Sequence, residues 1–171
     1  TALALTLGIL LGILVAVIRT AHDQQRTGHR NPILGLFNGI CKVYVTVIRG
    51  TPMLVQLYIV YYQLSFIQYP SGTIWGVDME RAIPCVIALS LNSAAYIAEV
   101  FRAGIQAVDV GQMEAARSCG MTSAQAMRFI ILPQAIKNIL PAIGNEFITM
   151  VKETSIIQYL GISDLMYNNG I

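Results

Sequence analysis

Charged residues are scarce in this sequence. They make up 12% of its 171 residues, about half of the roughly 25% typical of soluble domains. The mean hydropathy of +0.60 also argues against a soluble globular protein. Residues 2–18 form an uncharged, almost wholly apolar run, at the short limit of the ~17–25 residues that cross a bilayer. Because the run lacks the basic start and the cleavage site of a signal peptide, we predict a retained membrane helix.

Sequence motifs of enzymes and of metal sites are also missing. There is no G-x-x-x-x-G-K-[ST] phosphate loop, no H-E-x-x-H and no G-x-S-x-G, and the three cysteines have no metal-binding spacing. We therefore predict no catalytic residue, no metal site and no cofactor on this chain, and expect no nucleic acid as a partner. Energy for any active process would have to come from another protein.

Four apolar stretches are long enough to cross a membrane, which predicts an all-α integral membrane protein with one domain over residues 1–171. The predicted spans cover about 2–19, 52–69, 82–103 and 139–158. Residues 33–50 are predicted to form an interfacial amphipathic segment that bends at Arg49-Gly50-Thr51-Pro52, because Gly and Pro weaken a helix. The segment 104–137 contains too many polar residues to span.

The distribution of basic residues predicts the orientation. They concentrate in 19–50 and 102–137 and are missing from 70–80. By the positive-inside rule, the two basic segments face the cytoplasm and 70–80 faces outward. This predicts a multi-pass protein of the bacterial cytoplasmic (inner) membrane with its N-terminus outside.

Polar residues recur at helical spacing within three of the predicted spans, and each such stripe lies on one helix face. Facing one another, the stripes would line a hydrated path, whereas the alternative is that they join helices by hydrogen bonds. Glu99 has a further alternative, an ion pair with Arg102 one turn later. The candidates for substrate contact are Glu153, Asn92, Ser93, Tyr96, Gln56 and Thr149.

The segment 114–133 is the most specific feature of the sequence. It reads Glu114-Ala115-Ala116, three residues, Gly120, nine residues, then Ile130-x-Leu132-Pro133. Gly120 is predicted to end one short helix in a left-handed conformation. Thr122-x-x-Gln125 is predicted to begin the next as a capping box.

This pattern resembles the EAA loop in permease subunits of bacterial binding-protein-dependent ABC importers, the type I family. Arg49-Gly-Thr-Pro, Asn92-Ser-Ala-x-Tyr96 and Val151-Lys-Glu-Thr-Ser155 are similar to the polar amino acid subfamily. The resemblance covers essentially the whole chain. It implies a fifth span beyond residue 171 and a few residues before Thr1, so we expect the chain to be truncated at both ends.

The resemblance also implies a division of labour between subunits. A cytoplasmic coupling loop, about 104–137, would dock on an ATP-binding cassette subunit that holds ATP and Mg²⁺. The other expected partners are an extracytoplasmic amino-acid-binding protein, a second permease chain (identical or related) and membrane lipid. The residues expected to couple to the ATPase are Glu114, Ala115, Ala116, Arg117 and Gly120.

The function implied is ATP-driven import of a polar amino acid by alternating access, without enzymatic activity on this chain. If Glu153 faces the substrate cavity, its charge favours a cationic side chain such as that of arginine, lysine or histidine. A permease for glutamine, glutamate or an opine is the alternative. A more distant alternative is a membrane scaffold or signalling protein that binds a partner through the 114–133 segment.

Overall fold

The computed structural model describes residues 2–23, 31–63, 73–74 and 77–154. Two short antiparallel strands, β1 (Thr73–Ile74) and β2 (Val77–Asp78), pair Thr73 with Asp78. The helices within these residues are α1 (Ala2–Asp23), α2 (Pro32–Gly50), α3 (Met53–Gln63), α4 (Met79–Gln106), α5 (Val110–Ser118), α6 (Ser123–Ala126) and α7 (Leu132–Glu153); a π-helical segment, Met127–Ile131, joins α6 to α7.

Within the described residues, four helical stretches are long and apolar enough to cross a membrane: Ala2–Asp23, Pro32–Gly50, Ala82–Gln106 and Ser123–Glu153. The all-α membrane architecture predicted from the sequence is confirmed. Three of these stretches overlap predicted spans. The predicted span 52–69 is described only as far as α3, and residues 155–158 of the last predicted span also lie outside the described residues.

The interfacial position predicted for residues 33–50 is wrong. These residues form α2, which packs into the bundle where Val45 meets Ala95 and Ala98 of α4. The Tyr44 hydroxyl donates a hydrogen bond of 2.5 Å to the Leu91 carbonyl. The opposite side of α2 exposes large apolar side chains, which suits contact with lipid. Its exposed residues include Ile33, Leu36, Phe37, Ile40, Val43 and Val47.

Helices α1 and α4 run parallel. Contacts between them occur in the same order along both helices, starting near the N-terminus of α1 and ending at its last residue. These contacts are Gly8 with Ser93, Gly12 with Ile97, Arg19 with Glu99 and Asp23 with Arg102. Since both helices run the same way, the segment between them must carry the chain back across the bundle.

That return path is made by α2 and α3 in succession. At its start, Asn38 lies 3.1 Å from the His22 ring at the C-terminal end of α1. Further along, Gln56 of α3 meets Asn92 of α4, and Leu57 packs near Leu89. The path as a whole therefore runs from the C-terminal end of α1 to the N-terminal half of α4, opposite to the direction of α1.

Small residues allow α1 and α4 to approach closely. Ala4, Gly8, Gly12 and Ala16 recur every four residues on the buried face of α1, a spacing typical of membrane helices in close contact. A Cβ on Gly12 would lie 2.7 Å from Ile97 Cγ2 and 2.9 Å from the Ala94 carbonyl oxygen. Only glycine fits this position without moving a helix.

Helix α7 begins earlier than the predicted fourth span and crosses antiparallel to α4. Its first part packs at the C-terminal end of α4, where a Cβ on Gly104 would collide with Ile139. Near its other end, Met150 is buried among Ala4, Leu57 and Leu89. The predicted polar loop 104–137 is thus shorter than expected, because α4 continues to Gln106 and α7 starts at Leu132.

Candidate functional site

The residues Val110–Ala126, which we call the α5–α6 hairpin, are held by local hydrogen bonds. The Asp109 carboxylate caps α5 by accepting from the Gly111 amide at 2.6 Å. At the other end, Gly120 has φ +86°, and the Met121 amide donates to the Ala116 carbonyl while the Gly120 amide donates to that of Arg117. These two bonds form a Schellman motif. The left-handed Gly120 predicted from the sequence is confirmed.

The start of α6 is capped as predicted. The Thr122 hydroxyl accepts from the Gln125 amide, and the Gln125 side chain accepts in return from the Thr122 amide at 2.9 Å. This reciprocal pair satisfies two amides that a helix start would otherwise leave without partners. The hairpin therefore keeps its shape largely through its own backbone and caps.

Most of the predicted coupling residues lie on the surface of this hairpin. Glu114, Ala115, Arg117 and Gly120 are exposed, and no atom lies within 4 Å of the position of a Cβ on Gly120. Ala116 differs, because it is 8% exposed and packs inward. The hairpin thus offers small residues beside one acidic and one basic side chain.

The hairpin is attached to the bundle by a few apolar side chains. Met113 of α5 and Met127 of the π-helical segment pack against a cluster formed by Val108, Ile131 and Ile139. The Gln134 amide reaches Gln112 at 3.4 Å. Beside these contacts lies a cavity of about 260 Å³ whose lining includes Asp23 and Arg102. A displacement of the hairpin would therefore reach α4 and α7 directly.

A second polar group lies inside the bundle, where α2 ends and α3 begins. The Gln56 amide donates to the Ile48 carbonyl at 2.6 Å and to the Thr51 carbonyl at 2.9 Å. Its oxygen accepts from the Asn92 amide of α4 at 3.0 Å. Both side chains are buried. Gln56 and Asn92, two predicted substrate contacts, are brought together, and they also join two helices as the alternative interpretation requires.

Tyr96 lies one turn from Asn92 and carries the guanidinium of Arg49 above its ring, 5.2 Å from the ring centre. Arg49 is exposed, at the end of α2 rather than in a loop. Arg49 was not among the predicted site residues, although its place in the Arg-Gly-Thr-Pro break could have drawn attention to it.

The other predicted contacts are not all brought to this place. Ser93 is buried but faces α1, because Gly8 packs against its side chain. Thr149 is exposed, and its hydroxyl donates to the Asn145 carbonyl of its own helix. Glu153 is partly buried at the end of α7, one turn beyond Met150. The stripes predicted from spacing therefore point in several directions.

Glu99 pairs with two arginines rather than one. Arg102 approaches it at 3.1 Å, as the structural alternative proposed, but Arg19 of α1 approaches at 2.7 Å. Arg19 is only 9% exposed, so this residue, which was counted among the basic residues of 19–50, is buried between helices. The spacing of Ala4, Gly8, Gly12 and Ala16, which continues to Arg19, is the sequence signal that marks this face.

A comparison with known families decides what kind of protein carries these features. The family described as "Binding-protein-dependent transport system inner membrane component" matches residues 8–170. The chain belongs to this family. The membership indicated by the Glu-Ala-Ala motif is confirmed, and the chain is a multi-pass inner-membrane protein.

Two curated relatives and one solved structure show how close the similarity is. The "Arginine transport system permease protein ArtQ" of Bacillus subtilis (strain 168) is 42% identical over 146 residues, covering 78% of this chain and 64% of the relative. The "Putative glutamine transport system permease protein GlnP" of Rickettsia felis is 41% identical over 164 residues, covering 96% and 67%.

The solved structure is titled "Crystal structure of an amino acid ABC transporter with histidines". It is 46% identical, with a TM-score of 0.78 over 95% of this chain and 67% of the other. The chain thus spans about two thirds of the length of the relatives it matches. The fold is that of an ABC importer permease.

Proposed function

We propose that this chain is the membrane-spanning subunit of an ATP-driven importer that moves a polar amino acid into the cytoplasm by alternating access. The observation that carries the proposal is the α5–α6 hairpin, which is exposed, rigidly capped and attached to both α4 and α7. ATP and Mg²⁺ would be bound by a separate ATPase subunit that docks on Glu114, Ala115, Arg117 and Gly120. Ala116, which is buried, would support the hairpin from within.

The assembly follows from the same proposal. A second permease chain completes the path, and an extracytoplasmic binding protein delivers the amino acid. The N-terminus lies outside and the hairpin in the cytoplasm. The relatives of this chain that are named as arginine and glutamine permeases support an amino acid as the cargo.

Gly120 provides the test of coupling. Asparagine tolerates a positive φ better than other side chains, and the space around a Cβ at Gly120 is open. Gly120→Asn should therefore keep the hairpin fold while adding atoms where the ATPase subunit approaches. ATP-dependent amino acid uptake into proteoliposomes should fall at least about tenfold, which corresponds to a loss of roughly 1.4 kcal/mol.

The matched control is Gly39→Ala, which adds a side chain at another open glycine, on α2. It should transport like the wild-type protein. Full uptake by Gly120→Asn, or a wild-type chain that copurifies with no ATPase, would overturn the coupling proposal and favour a scaffold or signalling protein.

We further propose a cationic amino acid as cargo, with Glu153 as the group that selects its charge. Glu153→Gln should lower arginine uptake more than glutamine uptake, since only arginine loses an opposite charge. Unchanged selectivity would remove Glu153 from the site. A neutral polar amino acid such as glutamine is the second candidate, favoured by the amides of Gln56 and Asn92 at the centre of the bundle.

A further inference from the structure

The break between α2 and α3 lies beside the middle part of α4, and its residues Gly50, Thr51 and Pro52 are exposed. Thr51 is extended (φ −116°, ψ 142°) after α2 ends at Gly50, and Pro52 follows without an amide hydrogen. The break borders Asn92 and Tyr96 of α4, which lie fourteen and ten residues before Gln106. At 1.5 Å per residue this is about 21 and 15 Å from that end, near the middle of a bilayer of roughly 30 Å. Broken helices at this depth commonly form transporter substrate sites.

The polar backbone at the break is satisfied from within the chain. Gln56 donates to the carbonyls of Ile48 and Thr51, and the Thr51 hydroxyl donates to that of Val47 at 2.9 Å. Asn92 then holds Gln56 from α4. These bonds fix the conformation of the chain directly after Arg49.

Arg49 differs from Arg19 and Arg102 in having no carboxylate partner among the described residues. Arg19 and Arg102 both pair with Glu99. Among the described residues, no carboxylate forms an ion pair with Arg49, which rests over the Tyr96 ring and remains exposed. A cation inside a membrane span is costly and usually faces an aqueous cavity or a partner. Its planar fork of donors matches a carboxylate.

An exposed guanidinium that has no carboxylate partner within the described part of the chain can bind an anionic group of a ligand. A free amino acid carries a carboxylate and an ammonium on one carbon, and both need partners when they leave water.

We propose that Arg49 binds the α-carboxylate of the transported amino acid, with Tyr96 holding the guanidinium in place. This rests on the proposed function and deepens it, because it separates recognition of the amino acid backbone from recognition of its side chain. Any polar amino acid satisfies this contact, and groups such as Glu153 act on the side chain only.

Direct binding to the permease–ATPase complex in nanodiscs tests this without the extracytoplasmic protein. The probes are L-arginine, L-glutamine and their α-carboxamides, which keep the ammonium but lose the carboxylate charge. The wild-type complex should prefer each acid to its amide. Arg49→Gln should weaken the binding of both acids about tenfold to a hundredfold, as expected for the loss of a charge-assisted hydrogen bond. The affinity for both α-carboxamides should stay unchanged.

Lys42→Gln is the matched control, since Lys42 is exposed on the same face of α2 two turns earlier. It should bind all probes like the wild type. Unchanged amide binding shows that an Arg49 variant is folded, and Arg49→Lys should retain part of the preference for acids.

Three results would overturn the inference: no binding of either acid, equal wild-type affinity for acid and amide, or an acid preference that survives in Arg49→Gln. The comparison of acid and amide affinities in the wild type needs no variant, so the inference can be tested even if Arg49→Gln fails to assemble. ATP-driven uptake by the wild-type transporter with its binding protein is measured separately. Uptake without backbone selectivity contradicts only this inference, whereas absence of uptake contradicts the proposed function.

Discussion

At the scale of single residues, Glu99 accepts hydrogen bonds from arginines on two helices. Its two carboxylate oxygens separately meet Arg19 at 2.7 Å and Arg102 at 3.1 Å. Asp23 lies 3.7 Å from the same Arg102. Removing charges from water is expensive, and an ion pair offsets that cost only while both partners are present. Glu99 thus offsets the free-energy cost of burying the charge of Arg19 between α1 and α4.

Glu99→Gln should therefore destabilise the protein, because Arg19 stays charged and buried without its carboxylate. We expect a loss of about 2–4 kcal/mol, toward the lower part of the range for a broken buried pair because Glu99 retains some solvent contact. The measurement is the midpoint of thermal inactivation in detergent, which should fall markedly.

Glu114→Gln is the control, since that carboxylate is exposed on the α5–α6 hairpin, and its thermal midpoint should stay within experimental error of the wild type. The double variant Arg19→Leu/Glu99→Leu should recover much of the lost stability, as apolar replacements of buried pairs often do. Equal midpoints for Glu99→Gln and the wild type would show that the pair contributes nothing.

At the scale of elements, the α1–α4 contact depends on the absence of side chains. Gly8 and Gly12 bring the α1 backbone against Ser93 and Ile97. Because lipid is as apolar as leucine, such helices associate through close packing rather than through the hydrophobic effect. Each added atom in this interface therefore separates the helices over several turns.

Gly12→Ala should lower stability by about 1–3 kcal/mol through overpacking, although alanine is the better helix former by roughly 1 kcal/mol. Overpacking dominates because the added Cβ meets the Ala94 carbonyl, which belongs to the backbone and cannot rotate away. The midpoint of thermal inactivation should fall. Gly39→Ala, at an open site on α2, should leave it unchanged or raise it, and the same response at both glycines would contradict this account.

At the scale of the whole molecule, helix directions place the α5–α6 hairpin and the C-terminal ends of α1 and α4 at one end of the bundle. The start of α1 and the β1–β2 hairpin lie at the other. This arrangement is consistent with the orientation predicted from the basic residues, although Arg19 is buried in the bundle. Arg102, Arg117, Arg128 and Lys137 lie toward the end that carries the hairpin, whereas Lys152 lies at the other end of α7.

The native cysteines test this orientation. Cys119 is exposed on the hairpin, whereas Cys41 and Cys85 are buried. A membrane-impermeant maleimide should label Cys119 in inside-out vesicles and leave intact cells, opened only at the outer membrane, unlabelled. In a Cys119→Ser background, Glu80→Cys at the start of α4 should be labelled in intact cells opened at the outer membrane and should not be labelled in inside-out vesicles. Labelling of Cys119 from outside would invert the topology, and protection of Cys119 by the ATPase subunit would support docking at the hairpin.

Much of the fold follows from local sequence. The apolar runs predict the membrane helices, and Gly120 and the Thr122/Gln125 pair predict the hairpin caps, because these depend on residues close together in the chain. The same locality explains the error over 33–50. Lys42 and Arg49 lower the apolarity of that segment, and only contact with α4 reveals that one face is buried and another faces lipid.

The candidate site is less accessible from sequence. Helical spacing finds polar residues on one helix but does not say which neighbour they face, so Ser93 and Thr149 were grouped with Asn92 although they point elsewhere. Arg49 was counted only among the basic residues of 19–50 and as part of the Arg-Gly-Thr-Pro bend. Its proximity to Tyr96 depends on the relative rotation of α2 and α4, which no short pattern encodes.

The sequence by itself determined that the chain is a helical membrane permease with a capped, exposed hairpin, since apolar length, capping residues and motif spacing are local properties. Only the tertiary structure decided that Glu99 joins α1 to α4 and that Gln56 and Asn92 secure the break beside Arg49. Those contacts join residues 36 and 80 positions apart. Their existence depends on how closely glycine and alanine let the helices pack, a property of the assembled bundle.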